Sequence, residues 1–375
     1  MKFLIDTKVL KSGLDIVNHA VSSISTTPIL ENILIKVNYN HIVLTSNNLD
    51  MAIEHVMNEN ITIHTEGSFC VPSKIFTNYV SLVNDDSVLI ELLNDNSIEI
   101  KTDSGNIKIK GNDAGDFPVI PSVKENSSFH LNSNIIKKSI EKTLFSSAEW
   151  NIRPTLAGIF IALEWNEARF ASTDSFRLSE YKVTLENNFE GTFSQIIPNK
   201  TAFELKSILW DQVNVKVVVG DNQIMFLFEN TKLYSRLLNG KFPEYTGFFP
   251  TTYSTRSVLN RIDLIQSLKK INLLSKENNY SIKVSFSNEN GILLETSETQ
   301  IGEGKITLVG SIEWDDNIIG LNSEYFLESL GVMDTTHISI SFESPLSPIL
   351  ITPVNDDANK KDNSTFKHII MPLKI

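Results

Sequence analysis

The sequence predicts an α+β protein made of three copies of one repeat, each with two helices packed on antiparallel sheets. Three observations support this fold class. The chain has 375 residues, well above the roughly 100–150 residues of a typical domain. Residues that can cap a helix recur at a nearly constant spacing, and alternating or β-branched runs lie between them. We place the three repeats at residues 1–124, 125–250 and 251–375.

Each repeat opens with a short strand that leads into an amphipathic helix. Asp6 or Thr7 can cap the first copy, and Asn132 and Asn260 take the same place in the other two. The positions Asp6, Asn132 and Asn260 are 126 and 128 residues apart. The first helices are predicted over residues 6–21, 133–150 and 256–276.

A second strand and capped helix follow within each copy. Ser73, Asn199 and Asn322 mark their starts and are separated by 126 and 123 residues. The Phe-Pro pairs at Phe117 and Phe242 lie 125 residues apart and keep the same period. The second helices are predicted over residues 73–83, 198–210 and 322–333.

Between the helices, β-branched or alternating runs are bounded by Asn, Asp and Gly, which predicts strands joined in hairpins. Examples are Asn32–Val37, Ser97–Thr102, Val213–Val219 and Ile338–Phe342. Each repeat is therefore expected to hold roughly eight strands.

Composition narrows the class of protein. Hydrophobic residues make up 41% of the chain, the mean hydropathy is -0.06 and the formal net charge is -12. We expect a cytoplasmic protein, because the N-terminus has no apolar signal region and no stretch approaches the roughly 18 apolar residues of a membrane span. The single cysteine, Cys70, cannot form an internal disulfide. Binding to nucleic acid would require the basic residues to be segregated.

Motifs for cofactors and catalysis are absent from the sequence. There is no phosphate-binding glycine loop, and the seven histidines lack metal-ligand spacing. The acidic pairs Asp85-Asp86, Asp315-Asp316 and Asp356-Asp357 stand beside turn-forming residues. Ser172–Leu178 could hold a nucleophile next to an acid, but the sequence places no histidine as its base, so a hairpin turn competes with that interpretation. We expect no cofactor, no metal and no catalytic residue.

Five segments resemble one family. They are the opening Met1-Lys2-Phe3, Thr27–Leu34, the Thr-Asp-x-x-Arg-Leu motif at Thr173–Leu178, Gly240–Tyr245, and the ending Met371–Ile375. Together with the threefold repeat, their order and spacing resemble the bacterial sliding clamps, the β subunits of DNA polymerase III. The resemblance covers essentially the whole chain.

The resemblance implies a non-catalytic processivity factor: a head-to-tail homodimer whose six repeats close into a ring around duplex DNA, with sheets outside and helices lining the hole. Binding would be independent of sequence, and a clamp loader would consume the ATP. Implied partners are the polymerase III alpha subunit, the loader, other polymerases and repair proteins. At the subunit junction Ile107 and Ile109 would face Leu273 and Leu274, although an ordinary core role fits each residue nearly as well.

The charges of the six predicted helices fit such a ring. They sum to about +5, against -12 for the whole chain. Loose phosphate contact needs only diffuse positive charge of this kind. The candidates are Lys8, Lys11, Lys74, Lys137, Lys138, Lys142, Arg153, Lys200, Lys206, Arg256, Arg261, Lys269 and Lys270, each of which could also belong to a solvated helix face.

The family also implies a groove between the second and third repeats that receives short linear motifs from its partners. Apolar walls, an adaptable methionine and a few polar groups suit a peptide anchor. Its implied residues are Leu156, Thr173, Ser175, Phe176, Arg177, Leu178, Pro243, Phe248, Asn322, Tyr325, Pro345, Ser347, Ile369, Met371, Pro372 and Leu373.

This chain departs from the family pattern at several of these positions. Ser175-Phe176 stands where Gly-His is frequent, and Phe248 and Pro345 are bulkier or stiffer than usual, which leaves the peptide preference open. Ile24 or Ser25 stands where the family has an arginine. Pro154-Thr155 replaces aromatic residues.

Two alternatives come from other classes of protein. A hydrolytic or carbohydrate-active enzyme would have a concave site with paired acids and a perturbed pKa. A scaffold unrelated to DNA would show no excess positive charge on the six helices.

Overall fold

The structure, a computed structural model, describes residues 1–22, 26–149, 153–355 and 363–374. Within these residues the chain forms six α-helices and 24 β-strands, two helices to each repeat. The strands form four sheets, and each of their pairings is antiparallel. The predicted α+β class is therefore confirmed. Across the described ranges, none of the helices combines the length and the apolar character needed to span a membrane.

The first repeat contains two helices and nine strands. Its helices are α1 (Thr7–Asn18) and α2 (Ser73–Leu82). Its strands are β1 (Lys2–Asp6), β2 (Asn32–Val37), β3 (Ile42–Asn47), β4 (Met51–Met57), β5 (Ile61–Thr65), β6 (Gly67–Pro72), β7 (Ser87–Leu92), β8 (Ser97–Thr102) and β9 (Gly105–Lys110).

The second repeat has two helices and six strands, two of which are long enough to take the place of two strands each. Its helices are α3 (Ser133–Thr143) and α4 (Asn199–Ile208). Its strands are β10 (Ser127–Asn132), β11 (Gly158–Thr173), β12 (Arg177–Pro198), β13 (Asn214–Val219), β14 (Gln223–Phe228) and β15 (Thr231–Arg236).

The third repeat again has nine strands. Its helices are α5 (Arg261–Ser275) and α6 (Ser323–Gly331). Its strands are β16 (Thr255–Asn260), β17 (Ser281–Ser287), β18 (Gly291–Glu295), β19 (Lys305–Leu308), β20 (Gly310–Trp314), β21 (Asn317–Asn322), β22 (His337–Phe342), β23 (Ile349–Val354) and β24 (Ser364–Ile370).

The predicted capping residues explain where the helices start. Asp6 Oδ1 accepts from the amides of Lys8 and Val9 at 2.8 and 3.1 Å, and Asn260 and Asn322 cap α5 and α6 in the same way. Such a cap satisfies amides that have no partner inside the helix and contributes about 1 kcal/mol. Ser73 differs from the prediction. It is the first residue of α2, and its hydroxyl donates to Asn18 Oδ1 at 2.5 Å.

Two of the four sheets cross from one repeat into the next. The eight-stranded sheet has the order β10-β13-β14-β15-β4-β3-β2-β6, and β15 pairs with β4 of the first repeat. In the seven-stranded sheet, β11-β12-β24-β23-β22-β16-β20, β12 of the second repeat pairs with β24 of the third. The other two sheets, β5-β1-β7-β8-β9 and β19-β18-β17-β21, end in β9 and β19. Main-chain hydrogen bonds thus join neighbouring repeats within the chain.

These shared sheets divide the chain into two compact units. One holds residues 1–136 and 203–237, and the other holds residues 137–202 and 238–375. The second repeat is therefore split, since each of its halves belongs to the sheet of a neighbouring repeat.

Each unit has its own apolar core, filled largely by phenylalanines. In the first unit Phe3, Phe76 and Phe228 are fully buried, and in the second Phe170 and Phe326 are. Burial of such a side chain contributes about 1.5–3 kcal/mol, which favours the close packing of helices on the sheets.

Candidate peptide-binding groove

The segment between β11 and β12 is a tight turn held by its own polar side chains. Thr173 donates its hydroxyl proton to the carbonyl of Arg177 at 2.6 Å. Asp174 Oδ1 accepts from the amides of Phe176 and Arg177 at 2.9 and 3.0 Å. Ser175 has a φ of 82°. The turn was one of the two interpretations of Ser172–Leu178, and the structure favours it over a nucleophile.

Arg177 lies at the centre of the contacts between β12 and α6. Its Nε donates to Asp174 Oδ2 at 3.0 Å, and Nη1 pairs with Glu328. The guanidinium also lies over the ring of Tyr325, with Cζ 4.2 Å from the ring centroid. Arg177 and Asp174 are 9% and 15% exposed, so solvent screens that pair poorly, whereas Glu328 is 43% exposed and its charge is partly screened. The contacts of Arg177 with Glu328 and Tyr325 join the second and third repeats here.

A buried histidine lies near Arg177. The ring of His368 is 5.3 Å from that of Phe145, over which the Arg177 guanidinium also lies. Its Nδ1 and the hydroxyl of Ser179 are 2.8 Å apart. Burial first, and then the charge of Arg177, lowers the pKa of His368 from 6.5 to about 3. The histidine is therefore neutral at physiological pH.

Three of the predicted groove residues, Leu156, Leu178 and Ile369, lie in one apolar cluster and are almost fully buried. The cluster also contains Phe242 and Tyr245, which the sequence interpretation did not assign to the groove. Phe242 stacks on Phe160 with 4.9 Å between the ring centroids. This cluster forms an apolar floor built from both repeats.

Exposed apolar side chains lie within three residues in sequence of members of this cluster. Phe176 is 59% exposed and Phe248 is 58% exposed. The amide of Met371 donates to the carbonyl of Phe176 at 2.8 Å, which holds the chain end beside the turn, and the amide of Leu373 donates to the carbonyl of Gly320 at the same distance. An apolar floor with exposed, adaptable side chains around it can accept an apolar side chain of a peptide.

The remaining predicted groove residues have mainly local contacts. Asn322 caps α6 through the amides of Glu324 and Tyr325. Ser347 closes a turn with Ser344, next to Pro345. Pro372 is partly exposed in the chain end that follows β24.

Pro243, another predicted groove residue, lines a cleft next to the apolar cluster. This cleft has a volume of about 480 Å³ and is lined by β11, β12 and the segment Gly240–Thr246. Phe242 and Tyr245 line it as well as the apolar cluster, so the two surfaces adjoin.

Four residues predicted to face DNA or the subunit junction lie elsewhere or are already engaged. Lys142 is buried, and its ammonium donates to Asp334 Oδ2 at 2.8 Å, so it is not available to phosphate in this structure. Arg256 lies on strand β16, where the sequence analysis had begun a helix, and pairs with Glu313. Arg153 donates to the hydroxyl of Ser175 in the turn. Ile109 is buried in its own repeat, at 4% exposure.

The other predicted cations lie on the helices as expected from the sequence. With the observed helix bounds, the charges of the six helices again sum to +5, while the whole chain carries -12. Exposed members are Lys8, Lys74, Lys138, Lys200, Lys269 and Lys270, and partly exposed ones are Lys11, Lys137, Lys206 and Arg261.

The described parts of the chain hold no cluster of metal ligands, and one residue of an acidic pair closes a turn. Among those residues, no group of three or more His, Cys, Asp and Glu side chains could hold a metal ion. Asp316 caps a turn, because its carboxylate accepts from the amide of Asn288 and the hydroxyl of Ser287. These hydrogen bonds, the Asn288 amide first, lower the pKa of Asp316. Ile24, Ser25 and the pair Asp356-Asp357 lie outside the described residues.

Three repeats of two helices on antiparallel sheets, joined edge to edge, define the class of the sliding clamps. Family models described as the N-terminal, central and C-terminal domains of the DNA polymerase III beta subunit match residues 1–121, 130–244 and 246–374. The chain therefore belongs to the DNA polymerase III beta subunit family. The predicted family is confirmed, and with it the general function of a DNA polymerase processivity factor.

Relatives match along the whole chain. The beta sliding clamp of Bacillus subtilis (strain 168) is 28% identical over 383 residues and is covered completely, as is this chain. That of Halalkalibacterium halodurans is 29% identical, with 95% of this chain and 97% of the relative covered. Among solved structures, the Bacillus subtilis DNA polymerase sliding clamp superposes with a TM-score of 0.93 at 28% identity, covering 100% of this chain and 99% of that one. The beta chain of DNA polymerase III from Streptococcus pneumoniae gives 0.94 at 26% identity, with both chains fully covered.

Proposed function

We propose that two copies of this chain close head to tail into a ring around duplex DNA, and that the ring tethers partner proteins through the groove described above. The protein would carry out no reaction itself. It would act by topology, since a closed ring stays on DNA without tight binding.

The continuity of the sheets across repeats carries this proposal. The last strand of the second repeat, β15, pairs with β4 of the first repeat, and the last strand of the third, β24, pairs with β12 of the second. The last strand of the first repeat, β9, and the third repeat's counterpart of β4, β19, are both sheet edges. Unpaired edges are templates for pairing with another chain. Pairing β9 of one copy with β19 of another would repeat the two joints that the chain already contains.

The side chains near these edges are complementary. Strand β9 exposes Lys108 and Lys110, and the segment before β19 exposes Glu298 and Glu303. Leu273 on α5 is 76% exposed in the single chain. A heterologous contact of this kind closes after two copies if the rotation between them is 180°.

The charge distribution supports contact with DNA by the helices. Their sum of +5 in a chain of -12 leaves the remainder of the protein strongly acidic. Diffuse lysine charge gives sequence-independent, salt-sensitive contact with phosphates, and the acidic remainder disfavours binding of DNA elsewhere.

The groove supports the tethering role. Its floor is apolar and buried, while Phe176, Phe248 and Met371, close to cluster members in sequence, are exposed. A short linear motif with one or two apolar anchors would gain most of its binding energy there, and its main chain could reach the polar groups of the turn.

Retention on circular DNA tests this proposal. The protein is loaded onto nicked circular DNA with purified clamp loader and ATP, the salt is raised, and the circle is then linearised. A ring stays on the circle in high salt and slides off after cutting. Retention that is lost in salt and indifferent to cutting would overturn the ring and favour the scaffold alternative.

A further inference from the structure

Two junctions between repeats follow one rule within the chain. At the first, His19, just after α1, contacts Glu204 of α4 with 2.5 Å between Nδ1 and Oε2. At the second, Lys142 of α3 donates to the carbonyl of Val332 and, at 2.8 Å, to Asp334 Oδ2, both after α6. In each case a residue in or just after the first helix of one repeat contacts a residue in or just after the second helix of the next repeat. In a two-copy ring, the third junction would bring α5 of one copy to α2 of the other.

The strand register identifies the equivalent residues at that third junction. Lys142 lies ten residues after the capping Asn132, and Lys270 lies ten residues after the capping Asn260. Asn260 pairs with His337, and Asp6 pairs with Ser87 in the first repeat. The segment 332–336 before His337 therefore corresponds to the segment 82–86 before Ser87. The first repeat has Ile16 at the position of the lysine, so the first junction cannot form this contact.

In the single chain both halves of the third junction are open. Lys270 is exposed, whereas its counterpart Lys142 is buried. A cleft of about 410 Å³ lies at the end of α2, lined by Tyr79, Leu82, Val83, Asn84, Asp85, Thr102 and Ser104. Leu82 is 77% exposed at its edge.

We propose that Lys270 of one copy enters the cleft at the end of α2 of a second copy, where the carbonyl of Leu82, at the position of Val332, accepts one of its ammonium protons. Asn84 stands at the position of Asp334, so the second acceptor is the carboxylate of the next residue, Asp85, which also lines the cleft. The inference rests on the proposed two-copy ring and names a contact that holds it closed. Lys11 is a like charge at the edge of this region, and its ammonium already donates to the carbonyl of Val83 at 2.7 Å. Asp85 is the charged residue among those that line the cleft, and its Oδ1 accepts from the amide of Asp103 at 3.2 Å, so the cleft favours a cation.

Charge reversal tests the contact. The dimer dissociation constant of the full-length protein is measured by sedimentation equilibrium for wild type, Lys270→Glu and the matched control Lys269→Glu, an exposed lysine one position away. Lys270→Glu should raise the dissociation constant about tenfold or more beyond the control, as expected for a close interfacial charge pair. Asp85→Lys should also weaken the dimer, and combining it with Lys270→Glu should restore part of the affinity. Asn84→Lys adds a positive charge to the cleft while leaving Asp85 in place, and it should weaken the wild-type dimer as well.

The outcomes separate this contact from the ring itself. If the wild-type protein stays monomeric at all concentrations, the proposed two-copy ring is wrong. A wild-type dimer that Lys270→Glu weakens no more than Lys269→Glu would leave the ring in place and overturn the contact.

Discussion

The guanidinium of Arg177 lies over the ring of Tyr325, with 4.2 Å between Cζ and the ring centroid. Arg177 belongs to the second repeat and Tyr325 to the third, so a cation and an aromatic ring join the two repeats. The same guanidinium also pairs with the carboxylates of Asp174 and Glu328.

Arg177→Ala is expected to destabilise the unit formed by residues 137–202 and 238–375. The change leaves Asp174, which is largely buried, without its cation, and removal of one partner of a buried pair costs about 3–5 kcal/mol. The thermal unfolding midpoint should fall by several degrees. Arg236→Ala is the control, because Arg236 is largely exposed and 3.9 Å from Asp50. Its midpoint should change little, and equal effects of the two variants would show that the buried pair contributes no more than an exposed one.

Met371→Ala is expected to weaken binding of a short clamp-binding peptide by about tenfold, because the lost apolar contact is worth on the order of 1–2 kcal/mol. Met371 is 42% exposed, so the unfolding midpoint should stay close to that of the wild type. Fluorescence anisotropy with a labelled peptide measures the affinity. Val309→Ala, at a fully exposed position of the same repeat, is the control. If both variants bind as the wild type does, the peptide does not reach the chain end.

Gly111→Ala is expected to destabilise the first repeat by about 3 kcal/mol, as overpacking against backbone does. A Cβ at Gly111 would lie 2.1 Å from the carbonyl oxygen of Cys70 and 2.5 Å from the ring of Phe69. The backbone would have to move where strand β9 ends, so the two-copy ring should weaken too. Chemical denaturation and sedimentation measure the two effects. Gly247→Ala meets no atom within 4 Å and should match the wild type; a Gly111→Ala protein as stable as that control would contradict the packing described.

The stability of the protein is expected to depend on His368 below neutral pH. The pKa of His368 is lowered from 6.5 to about 3. Between these two pH values the histidine is protonated in the unfolded chain but neutral in the folded chain, so the free energy of unfolding falls as the pH falls. The stabilisation is complete above pH 6.5 and is lost toward pH 3, at about 1.4 kcal/mol per pH unit. Unfolding midpoints between pH 7.5 and 4.5 should fall less steeply for His368→Gln than for the wild type.

Two other histidines matter for the comparison of the wild type with His368→Gln. His55, whose pKa burial lowers to about 4, adds a second acid-sensitive group to the wild type, and it remains in the His368→Gln variant. The difference between the two proteins therefore reports His368 alone. His130→Gln, at an exposed position, provides the matched control, and a slope equal to that of His368→Gln would exclude His368 as the source.

The sequence predicted most helix starts because a helix start is a local event, whereas α3 ends at Thr143 and not near residue 150 as predicted. Asp6, Asn260 and Asn322 cap the helices that their spacing indicated. The range predicted for α5 began too early, at Arg256, because the alternating residues before Asn260 form strand β16. Ser73 failed as a cap because its hydroxyl found a partner in another helix, and sequence spacing carries no information about such a contact.

The candidate groove was predictable only in part. The turn at Thr173–Leu178 depends on residues that are neighbours in sequence, so its motif could be found. The apolar floor joins segments more than 200 residues apart, and Phe242 and Tyr245 were missed because their burial depends on the pairing of β12 with β24. A family resemblance can map known positions, but it cannot place Pro243 in the adjoining cleft or bring Arg153 to Ser175.

The splitting of the second repeat between two sheets limits how the protein can be divided. A fragment covering residues 125–250 alone would lose the strands that β15 and β12 pair with, and both would become bare edges. The sequence contains three repeats, but the smallest fragments that keep every sheet complete do not coincide with single repeats. Swapping the middle repeat for that of a relative would therefore require the pairing strands on both sides to be exchanged with it.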